Sequence, residues 1–199
     1  MKPQTNTIPA PNGIVEIVTK IGNTQDIIEA ILQSDENYNS ADFCTFAQQF
    51  SSTHWKIKNT MHGLYNLWYF VRYRIHYKED PAGYQFIQTP SALWRRGIGD
   101  CKSKTLFITA VLRCIGIPYK IRFSSYGTKD VKHVYPVAIV NGKSVVLDAV
   151  WTKFATQAPY SYIVDYNTNG GQISGIKRPI NKVLSKRKNN RYCFINKKL

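Results

Sequence analysis

The stretch from Asp100 to Pro118 constrains the fold more than any other part of the chain. Asp100 is a good helix N-cap, which makes Cys101 the first helical residue. Behind it, Leu106, Phe107, Ile108, Ala110, Val111, Leu112, Cys114 and Ile115 leave only a narrow polar strip of Lys102, Thr105, Thr109 and Arg113. A helix that is apolar nearly all round is buried. Gly116 closes it, and Pro118 prevents its continuation.

The residues after this helix read as strands. Tyr119 to Ser125, Val131 to Val140 and Ser144 to Val150 alternate, and Asn141-Gly142 between the last two is a strong type I′ hairpin signal. Upstream, Ile14 to Val18 suits a short strand. Asn23 or Thr24 can cap a helix through Ile27, Ile28, Ile31 and Leu32. A second helix is expected over Phe43 to Phe50, and a third from Thr60 to about Val71, where Met61, Leu64, Tyr65, Trp68 and Val71 recur at helical spacing. The alternation from Val71 to Lys78 predicts an extended end. A chain of 199 residues makes one domain, or one domain with extensions, and 43% hydrophobic residues exclude a wholly disordered protein. No apolar run approaches the length of a membrane span. The start, Met1 to Asn6, lacks the apolar region of a secretory signal, so a cytoplasmic location is expected.

The cysteines are Cys44, Cys101, Cys114 and Cys193. None has zinc-like spacing, so no metal or cofactor is expected, and the absence of a signal reads as reduced thiols. Cys114 lies among Leu and Ile and reads as packing. Cys101 differs, because a sulfur at a helix start faces free N–H groups and the positive end of the helix dipole, both of which favour thiolate. A cysteine nucleophile needs a base, and the base needs an orienting group. The two-residue hairpin loop pairs Val140 with Lys143. Counting back pairs Tyr135 with Asp148 and His133 with Val150, so His133 and Asp148 become diagonal neighbours on one face. Pro136 inside that strand implies an edge or a bulge. His54, His62 and His76 have no comparable setting. Singly, a strand histidine is usually structural or exposed, an aspartate near a strand end is usually solvated, and a helix-start cysteine is uncommon but not diagnostic. Helix, hairpin and the order Cys, His, Asp together outweigh those readings.

Gly99-Asp100-Cys101-Lys102, the helix ending in Gly116-Ile117-Pro118, His133-Val134-Tyr135 and Leu147-Asp148 resemble the transglutaminase-like superfamily. Tyr77 to Asp80 and Ile87 to Pro90 fit the same pattern, and the match runs from about Phe43 to Trp151. The resemblance implies an α+β, papain-like fold, with the cysteine helix packed on an antiparallel sheet that carries His and Asp. It also implies Cys101 as nucleophile, His133 as general base and Asp148 as orienter in a thiol protease, amidase or acyltransferase acting on a protein or peptide amide. The Cys101 N–H suits one arm of an oxyanion hole. Gln85, Gln88 and Trp94 are candidates for the other, and Trp94, Tyr126, Tyr135 and Trp151 could line a groove, although most such aromatics are core. Stand-alone domains of this kind also occur among phage proteins, which makes a virion location a second expectation.

Charge divides the chain into an arm and acidic helical segment (1–42), a core domain (43–165) and a basic tail (166–199). Residues 1–50 hold two bases and six acids, whereas 166–199 hold nine bases and no acid. The tail residues Lys177, Arg178, Lys186, Arg187, Lys188 and Arg191 suit an assembly partner or a polyanion. The alternative to an enzyme is therefore a virion structural or assembly protein that keeps the fold and binds through this tail.

Overall fold

The computed structural model describes residues 17–19, 23–55, 60–81, 84–127, 130–167 and 172–177, without the side chains of 17–19 and 172–177. In chain order the elements are β1 (Ile17–Thr19), α1 (Thr24–Asn37), α2 (Ala41–Phe50) with a π-helical turn (Ser51–Trp55), α3 (Thr60–Arg74), β2 (His76–Tyr77) and β3 (Phe86–Gln88). Then come α4 (Pro90–Arg96), β4 (Ile98–Gly99), α5 (Cys101–Cys114), β5 (Tyr119–Ser125), β6 (His133–Val140), β7 (Lys143–Val146), β8 (Tyr162–Tyr166) and β9 (Gln172–Lys177). The antiparallel sheet runs β7-β6-β5-β8-β9. Two small pairings, β1 with β3 and β2 with β4, lie outside it. The α+β, papain-like architecture expected from the sequence is the one observed.

Helix α5 is the centre of the core. Asp100 caps it by accepting from the Ser103 N–H at 3.2 Å. Every residue from Cys101 to Leu112 is buried, including the polar strip. On one side the buried residues of α1, α2 and α3 cover it; on the other lie Ile121 and Phe123 of β5 with Val134 and Ala138 of β6. The Thr105 hydroxyl docks the helix to the sheet by donating to the Val134 carbonyl at 3.1 Å. Burying that many large apolar side chains, at about 1.5–3 kcal/mol each, is the main force holding the layers together.

The helix ends follow local chemistry. Asn23 and Asp26 exchange side-chain-to-backbone hydrogen bonds at the start of α1, a capping box. Helix α3 runs through Arg74, so the expected extended end shrinks to the two residues of β2. Val71 is fully buried at helical spacing from Trp68, and Arg72 reaches across to distant carbonyls, so tertiary contacts outweigh the alternation. Met61 and Tyr65 are exposed, and the buried stripe is Leu64, Leu67, Trp68 and Val71.

The expectation of reduced thiols is corrected. Cys44 on α2 and Cys114 at the end of α5 form a disulfide, with Cα atoms 5.0 Å apart. Cys114 is thus half-buried and bridged rather than simply packed. That expectation concerned compartment and says nothing of the proximity of two helices, and it is proximity that permits the bond. Cys101 is also disulfide-bonded in this structure. Cys193 lies outside the described residues, as do Arg178, Lys186, Arg187, Lys188 and Arg191. Lys177 ends β9, so the sheet extends into the segment that composition marks as a tail.

Candidate active site

The β6–β7 hairpin fixes His133 and Asp148. Val140 faces Lys143 as expected, and the register continues to Val137 opposite Val146. There the ladder stops. The Leu147 N–H still donates to the Pro136 carbonyl at 3.0 Å, but Pro136 has no N–H to return. The expected pairings of Tyr135 with Asp148 and of His133 with Val150 therefore do not form. After Val146 the second strand leaves the sheet and carries Asp148 in a loop, so β6 is an edge on that side from Pro136 back to His133. The side chains still meet: His133 Nε2 lies 2.7 Å from Asp148 Oδ2. Only 2% of His133 and 3% of Asp148 are exposed.

An ionised carboxylate only accepts, so Nε2 is the ring nitrogen that donates to Asp148. Nδ1 is buried and has no hydrogen-bond partner among the described residues. The Asp148 loop is clamped from α3. Trp68 Nε1 donates to the Asp148 carbonyl at 2.7 Å. Arg72 donates to the carbonyls of Val150 at 2.6 Å and Trp151 at 2.9 Å. The Tyr135 ring packs 5.1 Å from that of His133. Its hydroxyl accepts from Gln157, and Gln157 accepts from Arg122 at 2.9 Å. Burial pushes the Tyr135 phenol above its ordinary range, so it stays neutral.

Cys101 is buried at the N-terminus of α5, four residues and one turn before the docked Thr105. Beside it sits an ion cluster that no sequence pattern announces. The Lys102 ammonium bonds Asp100, and it lies 3.0 Å from Asp80. Lys102 is only 1% exposed. Burial works against its charge, but the two carboxylates outweigh that and hold the ammonium above its ordinary range. Lys102 thereby neutralises the cap of the helix that presents Cys101. Its partner Asp80 is 22 residues away in sequence, too far for a local signal. Gly99 sits at a close approach: a Cβ there would lie 2.5 Å from Leu93 Cδ1 and 3.1 Å from Ser103 Cβ, so both neighbours would have to shift.

The oxyanion candidates are placed differently from one another. Trp94 stacks with Phe70 at 5.3 Å and Phe107 at 6.0 Å in the aromatic core. Gln88 is buried on β3, where its Nε2 donates to the Ile98 carbonyl at 3.0 Å and its Oε1 has no partner among the described residues. Gln85 is half-buried, also with a bare Oε1. Gln88 and Gly99, with Asp80, Phe86 and Arg96, line a cavity of about 450 Å³.

The α+β, papain-like fold is shared with solved structures. Eight solved chains match it. A presumed protease from Parabacteroides distasonis superposes with a TM-score of 0.56 at 14% identity, over 79% of this chain and 32% of its own. Calcium-bound LapG of Legionella pneumophila gives 0.46 at 18% identity, over 70% of this chain and 83% of its own. A presumed cysteine protease from Cytophaga hutchinsonii gives 0.40 at 11% identity, over 68% of this chain and 48% of its own. This chain thus spans about a third of the length of the Parabacteroides protein. No family model matches the sequence, and no curated protein matches it. Among the described residues, no helix is long and apolar enough to cross a membrane.

Proposed function

We propose that this protein is a cysteine hydrolase or acyltransferase acting on an amide of a protein or peptide, with Cys101 as nucleophile, His133 as base and Asp148 as orienter. The observation that supports this most is the buried His133, held at Nε2 by a carboxylate while its Nδ1 stays unsatisfied. A structural histidine at such depth would satisfy both nitrogens. An imidazole that keeps a bare nitrogen at the cost of burying it is poised to take a proton.

In the proposed reaction Nδ1 takes the Cys101 proton and the thiolate attacks the amide carbonyl, forming a C–S bond. As the tetrahedral oxyanion collapses, the C–N bond breaks and Nδ1 returns the proton to the leaving amine. Water, or a second amine, is then deprotonated by His133 and attacks the thioester. That step releases the acyl product and restores the thiol. The Cys101 N–H has no acceptor within its own helix at that position and suits the developing oxyanion. Because Cys101 is disulfide-bonded in this structure, the reaction requires prior reduction by a thiol.

The test is alkylation with iodoacetamide at pH 7 after dithiothreitol treatment, read by peptide mapping. Cys101 is expected to label first, and His133→Ala to slow it by roughly tenfold or more through loss of thiolate. Reduced wild type is expected to cleave peptide amides, and Cys101→Ala to lose that activity. Equal labelling of all four cysteines, unaffected by His133→Ala, overturns the proposal.

A further inference from the structure

A second cavity lies behind the Asp148 loop, and Cys101 and His133 are not among its walls. It measures about 270 Å³, and Arg72, Ile75, His76, Tyr77, Lys104 and Val150 contribute to its lining. Lys104 is its unusual member. It is 2% exposed, and among the described residues its ammonium makes no hydrogen bond or ion pair. It lies 5.9 Å from the Tyr77 ring. The carboxylates whose charge acts on it are already engaged, Asp148 by His133 and Asp100 by Lys102. Arg72 adds a second cation, and its Nε is buried without a partner. The Tyr77 hydroxyl is likewise buried and unpartnered, and burial raises its pKa, so it remains a donor. Burial first, and then Arg72, lower the Lys104 amine to about 8, so it is still mostly charged at neutral pH.

Arg72 Nη1 already serves the backbone carbonyls of Val150 and Trp151, but Arg72 Nε and the Tyr77 hydroxyl, with the Lys104 ammonium, are left as donors without an acceptor among the described residues. Buried charges and donors of this kind are normally paired. We propose that this cavity is a binding site for an organic carboxylate, whose oxygens accept from Lys104, Arg72 and the Tyr77 hydroxyl. The body of the ligand packs on Ile75, Val150 and the Tyr77 ring. The apolar part of the lining, Ile75 and Val150, gives a short hydrocarbon body a surface that inorganic phosphate would not use. The nearby negative charge of Asp148 likewise favours a monoanion over a dianion. The volume suits a ligand about the size of benzoate or a C-terminal residue. Carboxylate binding here does not depend on the chemistry of Cys101 and is testable in Cys101→Ala.

The experiment is calorimetric titration of the full chain in a low-anion buffer, with benzoate against benzamide and with a short peptide ending in Phe as the acid against its amide. Each acid that fits is expected to bind at least tenfold more tightly than its amide. Binding of benzoate alone assigns a free small acid, and binding of the peptide acid assigns a chain terminus. Lys104→Met is expected to weaken the acid at least tenfold and Tyr77→Phe a few-fold. A carbon-detected titration of Lys104 in the wild type is expected to show its pKa rising when acid is bound. That readout needs no variant to fold. Equal binding of acid and amide, tighter binding of inorganic phosphate, no binding at millimolar acid, or unchanged affinity in a folded Lys104→Met protein each overturns the assignment.

Discussion

Asp148 divides its two oxygens between two tasks. Oδ2 meets His133, while Oδ1 accepts from the Val150 N–H at 2.9 Å and the Trp151 N–H at 3.2 Å. Asp148→Asn separates these tasks. The amide oxygen can keep the backbone bonds, but the amide nitrogen facing His133 is a donor, so Nε2 must accept and the ring proton moves to Nδ1. The imidazole then cannot take a proton from Cys101. Asp148→Asn is therefore expected to leave the denaturant midpoint nearly unchanged and to lower the proposed amide turnover of the reduced protein by about 10²–10⁴-fold. Turnover within a factor of two of wild type would remove Asp148 from the mechanism. The contact of Asp148 with His133 was legible in the sequence because a two-residue turn sets the register as far as Val137 and Val146. Their contact survived even though Pro136 ended the ladder early, since both side chains stayed at that end of the hairpin. Lys102 and Lys104 were not legible as buried. A lysine on a helix ordinarily reads as solvated, and only residues from distant segments, Asp80 for one and the cavity walls for the other, reveal the burial.

At the scale of elements, α5 could be read almost completely, because cap, apolar girth and Gly-x-Pro stop lie within 19 consecutive residues. The bridge to α2 could not be read, because a pairing of cysteines 70 residues apart depends on how two helices pack. That bridge ties the N-terminal helices to the helix that carries Cys101. In the chain-entropy view, closing a loop of that length stabilises the fold by about 4 kcal/mol. Cys44→Ser with Cys114→Ser is expected to lower unfolding free energy by about 2–4 kcal/mol, measured by urea titration of the otherwise oxidised protein. Both cysteines lie away from His133 and Asp148, so the reduced double variant is expected to retain its alkylation rate at Cys101. A double variant as stable as wild type would show that α2 and α5 are held by packing alone, through contacts such as Phe43 against Phe107 at 5.6 Å.

At the scale of the whole molecule, the sheet order was the least legible feature. The β6–β7 hairpin is local, but β8 enters beside β5 from 43 residues away, placing Asp165 opposite Arg122. Asp165 explains why that pairing holds. Its carboxylate meets Arg122 Nε at 2.6 Å and Nη2 at 2.8 Å, and Lys120 Nζ at 2.7 Å. Burial pushes the Asp165 pKa up, but hydrogen bonds and charge from Arg122 and Lys120 outweigh it and hold the group below its ordinary value. A carboxyl depressed in the folded state stabilises the fold in full above its unfolded value of about 3.9. That contribution is lost as pH falls through the folded value. Stability is thus expected to drop with acid below about pH 4, with part of the slope due to this one group. In Asp165→Asn that part is expected to vanish. The same variant leaves Arg122 and Lys120 facing a neutral amide in a half-buried setting, so its stability at pH 7 is expected to fall by about 3–5 kcal/mol at most. Urea midpoints collected from pH 2.5 to 7 in both proteins test this. Parallel curves would mean that Asp165 is not ion-paired in solution and that β8 is joined to β5 by its backbone ladder alone. Converging curves at low pH would identify the carboxylate as the clasp that closes the sheet on the side away from the hairpin. Because Arg122 also reaches Tyr135 through Gln157, loosening that clasp is expected to reach the His133 ring as well.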